Sequence, residues 1–242
     1  MMMSVRKKAV SLLSAGLDST MALALAVHQD TLDVVLALTV DYGQRAAGQE
    51  ICHARAIAAH YEVPHRVVEL PWFADLLPEA FKATDGEAEP HWGAADQQSD
   101  TFFEAQPVWV PNRNGVLLNV AAAYAEASGA EVVLFGGNAE EAQRFPDNTE
   151  AFQQAINHSL SYSTQTHVTV HCPVQQMTKA DMIAMAKGLE ALGESVPLAS
   201  VWSCYGDGPK PCGHCPSCVR LKNALTDQAH ALAGSMFAGC SA

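Results

Sequence analysis

The sequence predicts an α/β protein built on a doubly wound, mainly parallel sheet. Two observations carry this. Short apolar runs rich in β-branched residues alternate with Ala- and Leu-rich segments of helical spacing. Those runs are near-continuous instead of alternating with polar residues, as expected of strands covered by helices on both faces.

In chain order, residues 10–13 read as a buried strand, 14–19 as a loop of small residues and 20–28 as a helix. Residues 34–40 form the second strand. Residues 49–60 are helical, with Ile51, Ala54, Ile57 and Ala58 on one face, and 65–70 are the third strand. Residues 71–106 are long and polar, an insertion of the length used for lids. The pattern resumes with a helix at 116–127 and a strand at 132–135 that runs into Gly136-Gly137. A helix at 150–160, a strand at 167–171, a helix at 179–192 and a last helix at 217–233 follow. The division expected is an α/β unit over residues 1–200 and a cysteine-bearing segment over 201–242.

Composition narrows the function. Hydrophobic residues make up 49% of the 242, enough for a substantial core. Asp and Glu number 26 against 14 Lys and Arg, a net charge of -12 that disfavours nucleic acid as a partner. Arg6, Lys7 and Lys8 before a short apolar run imitate a signal peptide. The run is too short and meets Gly16 and Asp18, so a first strand is the better reading. No segment reaches the roughly 18 apolar residues of a membrane span, and a cytoplasmic protein is expected.

Ser14-Ala15-Gly16-Leu17-Asp18-Ser19 lies between the first strand and its helix. Unpaired amides at a helix N-terminus and the helix dipole favour an anion there, and small residues let a phosphate approach the backbone. An ordinary strand-to-helix turn capped by Ser or Asp is the competing reading. The Lys of a Walker A motif and the spacing of G-x-G-x-x-G are both missing.

Of seven cysteines, Cys204, Cys212, Cys215 and Cys218 fall in one short segment with Gly206, Gly208, Gly213, Pro209 and Pro211 as turn residues. Four closely spaced thiolates suit structural zinc, with an iron–sulfur cluster as the rival. Four thiolates leave no open position for water, so a catalytic zinc is not expected. Cys52, Cys172 and Cys240 are scattered.

The loop resembles the S-G-G-x-D-S pyrophosphate loop of the PP-loop ATP pyrophosphatases, with Ala15 standing where that pattern has Gly. Further pieces follow in order: Asp41-Tyr42-Gly43-Gln44-Arg45, Val110-Pro111-Asn112-Arg113-Asn114, and Gly137-Asn138-Ala139-Glu140-Glu141. Then come Phe145-Pro146-Asp147, Pro173-Val174, Thr178-Lys179 and Trp202-Ser203-Cys204-Tyr205. Over about residues 9–225 the chain resembles the 7-cyano-7-deazaguanine synthase family of queuosine-precursor biosynthesis. Asn148 and Thr149 stand where many members read Cys-Arg, and Arg220 sits one place earlier than the commonest pattern.

The resemblance implies a PP-loop (HUP-like) fold. It also implies an ATP-dependent ligase that converts 7-carboxy-7-deazaguanine and ammonia to the nitrile through adenylated intermediates. Leu13, Ser14, Ala15, Gly16, Leu17, Ser19 and Thr20 would bind ATP, and Asp18 would hold Mg²⁺. Arg113 and Lys179 would contact phosphate or carboxylate in a chain with few cations. Gln44, Arg45, Asn114, Asn138, Glu140 and Asp147 would face the substrate. A helix-capping network around Asn148 and Thr149 is the plainer reading of the region at 138–149. Trp72, Trp92 and Trp109 read as packing or lid residues, and Trp202 as packing or a platform for the substrate. Partners would be small molecules, with neither nucleic acid nor membrane, and room for a homodimer. Three rivals stay open: an adenylating ligase for another carboxylate or acceptor, a PP-loop tRNA-modifying enzyme, and a non-enzymatic nucleotide-binding module.

Overall fold

The computed structural model describes residues 6–28, 32–82 and 109–237. Strands β1 (Lys7–Leu12), β2 (Leu32–Asp41), β3 (His65–Glu69), β4 (Val132–Leu134) and β5 (Thr169–His171) make one sheet in the order β3-β2-β1-β4-β5. Every neighbouring pair is parallel, so the expected doubly wound α/β architecture is present. The chain winds outward from β1 to β3, then returns to place β4 on the other side of β1. That reversal opens a crevice at the carboxyl ends of β1 and β4, where such sheets bind ligands.

Helices cover both faces because the central strands are apolar on both. On one face lie α1 (Leu17–His28), α2 (Ala47–His60), α6 (Lys179–Ala191) and α7 (Pro216–Asp227), joined by Met21, Ile57, Met182 and Leu221. On the other, α3 (Arg113–Ala127) and α5 (Glu150–Ser163) bring Leu118, Ala122 and Leu160 against Val10, Leu38, Val133 and Val170. Each large apolar side chain fully buried this way contributes about 1.5–3 kcal/mol. Cys204, Cys215 and Cys218 join the first of these cores, and α7 packs against α6.

Several elements differ from expectation. The helix α1 begins at Leu17, so half of the small-residue loop is its first turn. A six-residue helix, α4 (Ala139–Arg144), stands where the sequence shows no period. The last helix ends at Asp227 because Ala229 adopts a left-handed φ of 48°, and a 3₁₀ turn at Ala231–Gly234 follows. Of the expected insertion, Pro71–Leu76 and Glu79–Phe81 are 3₁₀ helices. Phe73, Leu77 and Phe81 pack there with Val40, Tyr42 and Val110. Its remainder, from residue 83 and including Trp92, lies outside the described residues, as does Cys240. Among the described residues no helix is long and apolar enough to cross a membrane.

Candidate active site and metal centre

The loop after β1 turns sharply at Ala15, which has φ 63° and is fully buried. A methyl-bearing residue in that conformation costs about 1–2 kcal/mol, and the surroundings must hold it. One restraint is a hydrogen bond of 2.8 Å from the Trp202 amide to the Ala15 carbonyl, which ties the cysteine segment to this loop. The Ser14 and Ser19 hydroxyls lie 3.2 Å apart, and Ser19 Oγ donates to the Gly16 carbonyl at 3.1 Å. Gly136, two residues past the end of β4, packs on the first turn of α1: a Cβ there would sit 2.5 Å from the Ser19 amide nitrogen. The two strand ends are thus pressed together, and a cleft of about 250 Å³ opens beside them.

Asp18 is the hub of one wall. Lys179 Nζ lies 3.0 and 3.1 Å from its two carboxylate oxygens, and Asn138 Nδ2 donates to Oδ2 at 2.8 Å. Lys179 reaches it from the first residue of α6, whose start is fixed by a reciprocal Thr178–Asp181 capping box. Its backbone amide donates to Glu140 Oε1 at 3.0 Å. Asn138 is itself the cap of α4, accepting from the Glu141 amide at 2.8 Å. Cys172 closes the turn below, accepting from the Gly137 amide and donating to its carbonyl. Burial pushes that thiol up to about 11, so it stays protonated at neutral pH.

The opposite wall carries Arg113, Asp147 and Glu50. Arg113 opens α3 after Asn112, which has φ 51°. Gly115 leaves room for that turn, since a Cβ there would meet Asn112 Oδ1 at 2.1 Å. Burial opposes the Arg113 charge, but the facing Tyr42 hydroxyl and Asp147 carboxylate outweigh it and raise its pKa. Burial raises the Asp147 pKa, with Arg113 pulling the other way. Asn114 Nδ2 donates to the Asp147 carbonyl at 3.2 Å, and Asn148 Nδ2 to its carboxylate at 3.1 Å. Burial lifts the Glu50 carboxyl to about 7, against the Gln44 side-chain amide and Arg113, which favour its charge. Trp109 and Phe145 line the mouth as a near-parallel pair, 6.2 Å between centroids.

The four predicted cysteines converge. Their sulfurs all lie within 4.8 Å of one another, so they could hold a metal ion. A Zn–S bond of about 2.3 Å in a tetrahedron sets sulfurs about 3.8 Å apart, and Cys212 Sγ and Cys218 Sγ are 3.9 Å apart. Backbone amides of Gly206, Cys212, Cys215 and Cys218 donate to the sulfurs at 3.3–3.4 Å, as thiolates require. From α7, Arg220 Nη2 reaches back to Glu141 Oε1 at 3.3 Å. Burial opposes ionisation of Glu141, yet Arg220 and then Lys179 hold its pKa below the usual carboxylate range.

The family model described as "Queuosine biosynthesis protein QueC" matches residues 8–229. The chain belongs to the QueC family. It is 47% identical over 225 residues to the 7-cyano-7-deazaguanine synthase of Bdellovibrio bacteriovorus, covering 92% of this chain and 94% of that one. The synthase of Desulforudis audaxviator is 47% identical over 217 residues, covering 90% and 96%. That of Methanosarcina mazei is 40% identical over 222 residues, covering 90% and 93%.

Within this QueC-family chain the cleft gathers Leu13, Ser14, Gly16, Leu17, Asp18, Ser19, Arg113, Asn114, Asp147 and Lys179 from the residues singled out in the sequence. Ala15, Thr20, Gln44, Arg45, Asn138 and Glu140 do not line it. Ala15 and Thr20 are fully buried behind the loop. Gln44 is 4% exposed and bonded to the Tyr42 amide, the Val40 carbonyl and Glu50. Arg45 turns toward Asp207 of the cysteine segment at 3.5 Å. Asn138 and Glu140 reach the site through Asp18 and Lys179. Thr149 caps α5 through the Phe152 amide, so the capping role expected at this position is present. Trp202 is 2% exposed, lies 5.0 Å from the His53 ring and lines the cleft. Sequence reasoning assigned no role to Glu50, Glu141 or Tyr42. Glu141 stood inside a quoted motif; Glu50 lay on an expected helix with nothing to mark it.

Proposed function

We propose that the chain uses two ATP molecules to convert 7-carboxy-7-deazaguanine and ammonia to 7-cyano-7-deazaguanine, the product for which its relatives are named. The observation that carries the reading is a single cleft lined by the phosphate loop, Asp18 with Lys179, and Arg113 with Asp147. Phosphate donors, cations and a carboxylate acceptor face one another across it.

A carboxylate is a poor electrophile because oxide is a poor leaving group. Attack by its oxygen on the α-phosphorus of ATP expels pyrophosphate and leaves AMP as the leaving group. Ammonia then displaces AMP to give the amide. The amide oxygen attacks a second ATP, and loss of the second AMP gives the nitrile. The chain positions reactants and neutralises phosphate charge. Amides of the α1 first turn and the Ser14 and Ser19 hydroxyls bind phosphate oxygens. Lys179, held by Asp18 and Glu140, offers its ammonium to the same charge. Asp147, aligned by Asn114 and Asn148, accepts from the amino-pyrimidinone edge of the substrate. Arg113 binds the carboxylate or the α-phosphate.

Asp18 would hold Mg²⁺ together with the phosphates, because each of its oxygens keeps a lone pair beyond its contacts with Lys179 and Asn138. That ion supplies charge neutralisation on the triphosphate. Zinc is the ion that suits Cys204, Cys212, Cys215 and Cys218, since four thiolates this close surround one ion. Bound there, it would brace the segment that holds Trp202, whose amide donates to the Ala15 carbonyl. Residues 1–200 form the ATP-binding unit and 201–242 the zinc segment that braces it.

The test is product stoichiometry with purified protein, 7-carboxy-7-deazaguanine, ammonium and ATP. Two AMP and two pyrophosphate per nitrile support the reading. ADP and phosphate as products, or no turnover with this carboxylate, count against it.

A further inference from the structure

Glu50 lies in the first turn of α2 and its side chain lines the cleft. Gln44 Nε2 donates to Glu50 Oε2 at 2.9 Å. The Gln44 amide is locked, donating also to the Val40 carbonyl and accepting from the Tyr42 amide. No other hydrogen bond to the Glu50 carboxylate occurs among the described residues. The charged and titratable groups around it are Arg113 from α3, Asp41 at the end of β2, and Tyr42 just beyond. Burial outweighs Arg113 and Gln44, and the carboxyl sits near 7. A group of that kind, in the cleft and fixed at one oxygen only, suits proton exchange at neutral pH.

The reaction proposed above needs a base beyond the groups already assigned to phosphate and substrate. All three protons of ammonia must leave nitrogen. We propose that Glu50 is the base that takes them, an assignment that rests on that reaction. In amide formation the ammonia lone pair forms the C–N bond. The C–O bond to AMP breaks with its electron pair on the phosphate oxygen, and one N–H proton passes to the Glu50 carboxylate. When the amide oxygen attacks the α-phosphorus of the second ATP, the P–O bond to pyrophosphate breaks, the N–H electron pair becomes the second C–N bond and a second proton passes to Glu50. In the last step the remaining N–H breaks toward Glu50, its electron pair completes the C≡N bond, and the C–O bond breaks as AMP departs. Between steps Glu50 returns its proton to solvent through the open cleft. Lys179 does not fill this role, because its Nζ is held by Asp18.

The experiment compares wild type with E50Q, using 7-carboxy-7-deazaguanine, ATP and ammonium across pH 5.5–9, with amide and nitrile quantified separately. The expected result is a nitrile rate about 100-fold lower in E50Q, accumulated amide, and loss of the acidic limb that wild type shows near pH 7. In Q44L the limb persists but moves to higher pH, because a hydrogen bond to the ionised form is gone; this variant decides the matter if E50Q does not fold. A wild-type amide-to-nitrile ratio and an unchanged acidic limb in E50Q, with only KM for the carboxylate raised, would make Glu50 a recognition group and overturn the assignment. An unshifted limb in Q44L also counts against it. If wild type makes neither amide nor nitrile, the reaction itself fails and the assignment falls with it.

Discussion

Gly136 and Gly188 give a paired test of how the loop proposed to bind phosphate is built. A Cβ on Gly136 would lie 2.5 Å from the Ser19 amide nitrogen and 2.7 Å from both the Asp18 carbonyl carbon and Ser19 Cα. All three are backbone atoms, so no rotamer change relieves the clash; β4 or the first turn of α1 must move. Overpacking of this kind costs about 1–3 kcal/mol. For a chain of this size each kcal/mol shifts Tm by about 2–4 °C, so G136A should melt about 2–12 °C lower. Displacing the loop by even a fraction of an ångström misplaces the phosphates, and kcat/KM for ATP should fall about 10–100-fold. Gly188 sits in α6 with nothing within 4 Å of its added Cβ. There G188A removes a helix-interior glycine and should stabilise by about 0.5–1 kcal/mol with activity intact. Differential scanning fluorimetry and a pyrophosphate-release assay read both. A G136A protein with wild-type Tm and kcat/KM would refute the close approach of β4 to the loop.

Other predictions follow from the charged network and the cysteines. Elemental analysis should find one metal ion per wild-type chain and none in C218S, and a chelator should lower the wild-type Tm without lowering that of C218S further. R220A strands the partly buried Glu141 and should destabilise by about 1–3 kcal/mol by urea unfolding, while R220A/E141Q recovers part of the loss. The folded pKa of Glu141 is depressed, so its contribution is present above about pH 4.5 and lost as pH falls through the folded value. E141Q should therefore show a flatter acid limb of stability. Glu50 has the opposite sign: its folded pKa is raised to about 7. The folded state then binds more protons between about pH 4.5 and 7, and stability from this group declines across that window. Equilibrium unfolding of E50Q should lack that decline, leaving it the more stable protein above pH 7.

The order of strands and longer helices was legible because each central strand is a near-continuous apolar run and the helices between are rich in Ala and Leu. The turn between β1 and α1, proposed above to bind phosphate, was legible as a strand-to-helix connection, although its second half is helix. Leu17, Asp18 and Ser19 lie in the first turn, where amides lack intrahelical partners and periodicity has not begun. The helix α4 escaped because six residues cannot show a 3.6-residue period, and its cap, Asn138, reads equally well as a ligand-binding residue. The end of α7 was overestimated since the residues after Asp227 keep Ala and Leu; only the left-handed Ala229 marks the stop. Cysteine spacing announced the four-sulfur centre directly. Glu50, Glu141 and Arg220 were illegible as partners for a different reason. Their charges matter through burial and through neighbours from distant segments, which a linear pattern does not encode. The same holds for Gln44 and Arg45, whose motif suggested the pocket while their side chains brace Glu50 and the cysteine segment.

The most direct test of the central claim, activation of the carboxylate by adenylation at the loop after β1, follows its oxygens. With both carboxylate oxygens of 7-carboxy-7-deazaguanine labelled with ¹⁸O, the first is carried off when ammonia displaces AMP and the second when the nitrile forms. Mass spectrometry should find one ¹⁸O in every AMP produced, and a nitrile free of label. Label appearing in water or inorganic phosphate, with AMP unlabelled, would contradict the account.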